Sequence, residues 1–468
     1  MKVMVAGAGI GGLCLAHGLL QAGVDVRVYE RENAAHSRYQ GFRIGLNEHG
    51  LAALHECLPQ RLHGVLAAVT GPMAGERRVL DRQLHEIRRL GAVDGGTATD
   101  RHVLRQLMLT GLSGRVEFGK AVTGYTERAS GTVEARFGDG TSATGDLLVG
   151  ADGVGSAVRR QLLPEAEAVT LPGNAVLGRT PLTERFATLV PGFGTTVHGP
   201  GIIMLLGRME FRRPPRLAAA ELAPDVQLPD VDDYLRWVVM LPEPHSREPD
   251  GWPAVRDQLL ALLDGWHPDL LDLVRQADVV NSSPLTIRYA KPVPHWGGTR
   301  RVTLLGDAIH PMPPSGGQGA NTALRDAALL SRSLAAVQRD EAELPAAVAQ
   351  YELRMLDYGF TAVTESLQHL PDFTPTRRTN DETAGFRPQA REEGTGPAHV
   401  ARALGRDSPS PDQRVPTSSE NRSSPRPGPT NAPPASSSKV PEAASPATRR
   451  GNLQPTTSSG TATPMELT

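Results

Sequence analysis

The chain is poor in the residues that build covalent or metal frameworks. Two cysteines occur in 468 residues, Cys14 and Cys57, both in apolar helical contexts. A disulfide framework is therefore not expected, and a reducing cytoplasm fits. No Cys-x-x-Cys pair is present, which removes a dithiol relay. No His, Cys or carboxylate cluster has metal-ligand spacing, so no metal site is expected, and no Gly-x-Ser-x-Gly elbow offers a serine nucleophile. No apolar run is long enough to span a membrane. The apolar stretch after Lys2 faintly matches a leader, but a glycine motif fills it and no small-residue cleavage site follows, so no secretory leader is expected. The formal net charge is −2, which gives no footing for a nucleic-acid partner.

Core-forming side chains are also missing from one end. Residues 374–468 contain a single aromatic, Phe386, and no Trp, Tyr or Cys; Pro, Ser, Thr, Ala, Gly and charges dominate. Such a segment cannot bury enough apolar surface to offset its ordering entropy. It reads as a disordered, solvated tail behind a globular part of residues 1–373, in which no internal repeat occurs.

What the globular part does contain begins at once. Residues 3–12 read Val-Met-Val-Ala-Gly7-Ala-Gly9-Ile-Gly11-Gly12, and a second apolar run, residues 24–30, closes on Glu30. This is a strand, a glycine turn, a helix over 13–22, and a second strand ending in an acid. Gly7 permits the tight turn, Gly9 lets backbone approach a pyrophosphate, and Gly12 lets the helix pack against the strand. The helix N-terminus offers free N–H groups to phosphates, and Glu30 is placed to accept from a ribose diol. The pattern is that of a dinucleotide site.

Further along, residues 104–112 read as a helix. Residues 132–137 and 147–150 read as strands, with Asp139-Gly140 as the turn between them. The character changes over 176–284, where 175–177, 201–206 and 237–241 look like strands of an antiparallel sheet separated by Pro-rich loops. Residues 302–305 return to a buried parallel strand, followed by long helices. The fold class expected is α/β: a Rossmann-like dinucleotide-binding domain (1–175, completed by 285–373) interrupted by an antiparallel-sheet domain (176–284), with the disordered tail.

Three more segments carry chemistry. Residues 146–159 hold a strand, an acid-glycine turn at Asp152-Gly153, and a helix with Arg159. Residues 301–321 hold a strand ending in Gly306-Asp307, then His310, Pro313-Pro314, Gly316, Gly317, Gly319, Ala320 and Asn321. Asp100-Arg101-His-Val-Leu-Arg105 lies between the halves. With the opening motif, these segments resemble the class A flavoprotein monooxygenases, the flavin-dependent aromatic hydroxylases, over residues 1 to about 370.

The resemblance implies FAD and NAD(P)H as cofactors. It makes the Rossmann-like domain an FAD-binding domain and the antiparallel-sheet domain a substrate domain. It implies that O2 and a small-molecule substrate, aromatic or polyketide-like, are hydroxylated or epoxidised by way of a C4a-hydroperoxyflavin, chemistry typical of secondary metabolism. It places Gly7, Gly9, Gly11, Gly12 and Glu30 at the ADP part, with Arg31 next to adenine and the Val122 backbone meeting it. Arg101 and Arg105, four apart on one helical face, approach phosphate or ribose oxygens. Arg43 and Gly45 lie on a strand passing the isoalloxazine. Asp152 is linked to the pyrophosphate and the pyridine nucleotide, and Asp307 to the ribityl hydroxyls. Pro314, Gly317, Gly319, Ala320 and Asn321 border the flavin, where helix N–H groups face an electron-rich group. His310 reads as a hydrogen-bonded structural imidazole rather than a base. Family members rely on a dry pocket more than on a fixed catalytic side chain, so no catalytic residue is assigned. Met204, Arg208, Trp237 and Met240, on the expected sheet strands, are candidates to line the pocket or, equally, to be core or surface. The absence of a second glycine fingerprint excludes a separate nicotinamide domain.

Overall fold

A computed structural model describes residues 1–35, 42–93, 95–241, 252–278, 283–297 and 301–370. The expected tail, 374–468, lies outside the described residues.

Apolar, β-branched runs with no polar alternation belong in strands buried on both faces. Residues Lys2–Ala6, Leu147–Gly150 and Val302–Leu304 are of this kind, and together with Asp25–Glu30 and Val116–Phe118 they form a five-stranded parallel sheet. Lys2–Ala6 is central, between Asp25–Glu30 and Leu147–Gly150, with Val302–Leu304 and Val116–Phe118 at the edges. Ala6 is in register with both Tyr29 and Gly150. Three chain segments therefore leave the sheet side by side: the Gly7 turn, Glu30, and Ala151-Asp152. Leu305-Gly306-Asp307 leaves the neighbouring edge strand in the same direction.

Helix Ile10–Gln21 is buried along most of its length against helix Gly319–Gln338. Gly11 and Gly18 allow this approach, since a Cβ on either would run into Ala323 or Ser331 of that helix, and two further glycines fit the turn against the sheet. Gly7 has φ +108°, and a Cβ there would meet Ala151 O at 2.4 Å; a Cβ on Gly12 would meet Gly7 O at 2.1 Å. The expected turn and helix-packing roles of Gly7 and Gly12 are thus visible as steric necessity. The helix Arg101–Leu109 is N-capped by the Asp100 carboxylate, which accepts from the His102 and Val103 amides.

One turn leads elsewhere than the sequence suggests. Asp139-Gly140 joins Val133–Phe137 to an additional strand, Ser142–Gly145, before the chain enters Leu147–Gly150. That strand has exposed Ser142 and Thr144 and no apolar alternation, so nothing marks it in the sequence.

The second sheet has seven strands, ordered Ser283–Leu285, Asn174–Pro181, Tyr234–Leu241, Ile202–Met209, Gly194–Gly199, Gly75–Asp81, Glu86–Val93. Its neighbours are antiparallel except for the parallel pairing of Gly194–Gly199 with Gly75–Asp81. The last two strands come from within residues 1–175, so the sheet is wider than the 176–284 segment. Glu86–Val93 is almost wholly exposed and charge-rich, and lacks the alternation that marks a half-buried strand.

The sheet has two different faces. On one, Val176, Met204, Leu206, Leu235, Trp237 and Val239 pack with Leu259, Leu263, Leu270 and Leu273 of the helical region that includes Trp252–Leu262 and Pro268–Arg275. On the other, Ala175, Ile203, Val238 and Met240 cluster with Ile287. Tyr234 and Arg236 share this second face, because residues two apart on a strand point the same way. Among the described residues, no helix is long and apolar enough to cross a membrane.

Candidate functional site

A cleft of about 370 Å³ opens where the parallel strands end. Its walls include Gly7, Gly9, Gly11, Gly12, Glu30, Arg31, Arg101, Arg105, Val122, Asp152, Asp307, Gly319 and Ala320. Ligands of open α/β sheets bind at this edge.

The glycine turn is held by two groups the sequence places far apart. Glu30 Oε2 accepts from the Ala8 amide at 2.6 Å and Oε1 from the Glu32 amide at 3.0 Å. Arg105 donates from Nε to Ala8 O at 2.9 Å and from Nη1 to Ala35 O at 2.6 Å, and Nη2 lies 3.3 Å from Glu32 Oε2 and 4.0 Å from Glu30 Oε2. Much of the Arg105 guanidinium is thus engaged in shaping the turn. Arg101, one helical turn earlier, also lines the cleft. Enclosure lowers its guanidinium below the ordinary arginine value, and Asp307 opposes that shift.

Asp307 sits in the 3-10 turn Gly306–Ala308 that follows strand Val302–Leu304. It is accessible through the cleft yet surrounded by protein. That enclosure raises its carboxyl above the ordinary aspartate range; Arg101 and His310 pull the other way. Asp152 caps helix Ala157–Leu162, with Oδ2 accepting from the Ala157 amide at 2.7 Å, while Oδ1 is buried with no hydrogen-bond partner. Arg159 locks this turn to the Asp307 turn by donating to Ala308 O at 2.9 Å and Val154 O at 2.8 Å.

Five expected site residues stand outside the cleft lining. Asn321 is buried and acts as a clip. It donates to Gly45 O at 2.9 Å and to Gly317 O at 3.0 Å, and accepts from the Asn47 amide at 3.0 Å. Gly45 packs on Met73. Pro314 begins the 3-10 turn Pro314–Gly316, and Gly317 closes it at φ +63° with its amide donating to Pro314 O. The Gly317 amide is therefore not a free donor; the unpaired N–H groups of the first turn begin where helix Gly319–Gln338 does. Arg43 lies against the second sheet, over the Phe193 ring and beside Arg236.

His310 is fully buried, with Nε2 2.8 Å from Asp326 Oδ2; that oxygen also accepts from the Gly306 amide, and Tyr358 donates to Oδ1 at 2.6 Å. Burial opposes the charged ring, but the Asp326 carboxylate outweighs it and raises His310 above the ordinary histidine value. The imidazole holds the turn that carries Asp307.

The pocket-lining candidates divide by face. Met240 lies on the face with Ile203 and Val238. Met204 and Trp237 are core on the opposite face, Trp237 donating to Thr180 Oγ1 at 3.1 Å, and Arg208 is at 3.4 Å from Glu210. A shift of one residue along a strand reverses the face. Residues missed in the sequence include Lys120, His102 and Arg160 on the cleft wall, and Tyr234 and Arg236 on the second sheet. The alternation of residues 234–241 could have marked the last two, because Trp237 and Val239 together fix the buried face.

These residues fit a bound dinucleotide. A Cβ added at Gly9 would meet nothing within 4 Å, so the turn leaves open space on the cleft wall. The partnerless Asp152 Oδ1, Arg101 and Asp307 supply polar groups around that space.

Comparison with known proteins agrees. The model of the family described as FAD binding domain matches residues 1–171 and 232–365, more than half of the chain. The dual O-methyltransferase/FAD-dependent monooxygenase of Cercospora beticola is 32% identical over 386 residues, covering 75% of this chain and 44% of the relative. The chain thus spans less than half the length of the curated relatives it matches at this level. A crystal structure from Photorhabdus luminescens, described as an FAD containing monooxygenase, superposes with a TM-score of 0.67 at 33% identity, covering 79% of this chain and 97% of that one. HpxO of Klebsiella pneumoniae, crystallised with FAD and uric acid, gives a TM-score of 0.64 at 25% identity over 79% of this chain and 87% of that one. The chain belongs to the class A family of FAD-dependent flavoprotein monooxygenases.

Proposed function

We propose that the chain uses FAD, NAD(P)H and O2 to hydroxylate or epoxidise an aromatic or polyketide-like small molecule. The observation that carries this reading is the convergence of the open Gly9 turn, Glu30, Arg101 and Asp307 at one edge of one parallel sheet, in a chain of this family. When bound, FAD supplies the redox chemistry: it accepts hydride and brings O2 to the oxidation level needed for oxygen insertion.

The protein's share is placement and electrostatics. Glu30, already fixed by two backbone amides, retains lone pairs for ribose hydroxyls. The glycine turn and the start of helix Ile10–Gln21 present N–H groups to phosphates. Arg101 adds a cation beside the phosphates, and Asp307 accepts from ribityl hydroxyls. The first turn of helix Gly319–Gln338 directs its free amides at the electron-rich end of the cofactor. The apolar face of Ile203, Val238 and Met240 excludes water beside the reacting groups. We place the reaction in the cytoplasm, where the buried thiols of Cys14 and Cys57 stay reduced, and in secondary metabolism.

The purified protein should be yellow and release FAD rather than FMN. A screen of phenolic and polyketide compounds should find some that stimulate NAD(P)H oxidation and gain one oxygen in mass. FMN in place of FAD, or consumption of NAD(P)H with products that gain no oxygen, would overturn the proposal.

A further inference from the structure

Two arginines outside the dinucleotide cleft have no counter-charge. Arg43, on strand Arg43–Leu46, and Arg236, on strand Tyr234–Leu241, converge over Gly207. A Cβ on Gly207 would lie 3.0 Å from Arg43 Nη1 and 3.1 Å from Arg236 Nη2. The Nε of each guanidinium is buried with no hydrogen-bond partner. Burial lowers both below the ordinary arginine value, Arg43 to about 10; the other groups acting on Arg43 are Arg236 and Tyr234, and on Arg236 Tyr234 alone. No described carboxylate acts on either. The acids nearby are engaged elsewhere: Asp100 with the Tyr234 hydroxyl, and Asp278 with Arg179 at 2.8 Å.

Burying one unpaired cation is costly, and setting two like cations together is costlier still. A fold keeps such a pair where an anion is to be bound, since guanidinium forks match planar oxyanions bidentately. The surroundings say where that anion comes from. Neither arginine lines the dinucleotide cleft. Both belong to the sheet face that continues as Ile203, Val238 and Met240, and Arg43 also lies over the Phe193 ring at 6.0 Å. Gly207, with no side chain, leaves the space between the guanidiniums and the sheet clear.

We infer that Arg43 and Arg236 form the binding site for an anionic oxygen group of the substrate, a carboxylate, phenolate or enolate, whose apolar body lies along Ile203, Val238 and Met240. The inference rests on the monooxygenase reading and narrows its substrate class to aromatic or polyketide acids. It moves Arg43 from the flavin to the substrate.

The test uses the FAD-loaded full chain and two probes of one shape, 2-naphthoate and 2-naphthamide, with binding followed by equilibrium dialysis. The wild type should bind the carboxylate at least about ten-fold more tightly than the amide, the smallest effect expected of a desolvated charge-assisted pair. Arg43→Met and Arg236→Met should each bring the two probes within about two-fold of one another. Arg236→Lys, which keeps the charge, should retain a preference for the carboxylate. FAD content should be unchanged in all three. Equal or undetectable binding of both probes by the wild type overturns the inference, as does an undiminished preference in both Met variants. Loss of FAD from both Met variants, with the Lys variant still yellow, also overturns it by returning the pair to the cofactor. Failure of the monooxygenase reading looks different: a colourless wild-type protein, or bound FAD that NAD(P)H does not reduce, indicts that reading, whereas a yellow, reducible protein indifferent to the carboxylate indicts the anion site alone.

Discussion

Tyr234 donates a 2.8 Å hydrogen bond to Asp100, and both residues are buried. The bond joins the second sheet to the helix that carries Arg101 and Arg105, because the same Asp100 carboxylate caps that helix. The side chains of Arg179 and Tyr234 also meet, the guanidinium lying 5.4 Å from the ring centre. The second sheet and the helix of Arg101 are thus mechanically coupled through one carboxylate.

Tyr234→Phe should therefore destabilise the fold by about 1–3 kcal/mol, since it leaves a buried Asp100 oxygen without its donor. Asp100→Ala loses the helix cap as well and should be worse by about 1 kcal/mol. Urea denaturation measures both. A Tyr234→Phe protein as stable as the wild type would contradict the coupling.

The glycine turn separates folding from binding. Gly12→Ala puts a Cβ 2.1 Å from Gly7 O and should not yield a stable protein. Gly9→Ala meets nothing and has an extended φ of −76°, so it should fold with unchanged melting temperature. Its methyl points into the dinucleotide space, so FAD affinity should fall at least about ten-fold. Full FAD affinity in Gly9→Ala would mean that the cleft is not the FAD site.

On the proposed reading Glu30 and Asp307 accept from cofactor hydroxyls, so Glu30→Ala and Asp307→Ala each remove an interaction worth about 1–3 kcal/mol. Each should weaken FAD retention, measured by dialysis and flavin absorbance. Glu30→Ala should also loosen the turn, because the Ala8 amide loses its acceptor. Asp307→Ala should bind FAD less well without loss of apoprotein stability, since burial already raises this carboxyl.

How much of this was legible beforehand follows from the physics of each signal. The parallel core and the glycine turn were readable because buried parallel strands are continuous apolar runs, and because Gly7 and Gly12 are sterically required. Gly7, Glu30, Arg101, Asp152 and Asp307 do line one cleft. The segments that escaped had no such pattern: Ser142–Gly145 is short and polar, and Glu86–Val93 is an exposed, charged edge strand. Trp237 and Met204 lie on expected strands and read equally as pocket or core, because the strand register alone decides the face; it puts them in the core. Asn321 and Arg105 looked like ligand contacts, yet their donors go largely to backbone carbonyls that sequence distance conceals.

Glu352 gives the fold a pH dependence. It is buried, accepts from Thr303 Oγ1 at 2.9 Å and lies 3.2 Å from His295 Nε2; burial pushes its carboxyl up to about 7, against the opposing hydrogen bond from Thr303. The folded value lies above the unfolded one, so the protonated form is favoured on folding. That contribution is complete below the unfolded glutamate range and is lost as pH rises through about 7. Glu352→Gln should abolish it, leaving the variant more stable than the wild type at pH 8, by up to on the order of 3 kcal/mol. Parallel pH-stability curves for the two proteins between pH 5 and 8 would refute the assignment.

A chain ending at Phe373 should fold, bind FAD and turn over like the full chain, because residues 374–468 lack core-forming side chains. Thermal melting and flavin content of the two lengths decide it. A large fall in melting temperature, or loss of flavin on truncation, would show that the tail docks.

The central claim is that this flavoprotein inserts oxygen. Turnover of a stimulating phenolic or polyketide compound with NAD(P)H under 18O2, followed by product mass spectrometry, tests it most directly. One heavy oxygen atom per product molecule, with NAD(P)H consumed in step, is the predicted result. Stoichiometric NAD(P)H consumption with a product that carries no atom from O2 would contradict it and make the protein an FAD-dependent dehydrogenase or reductase.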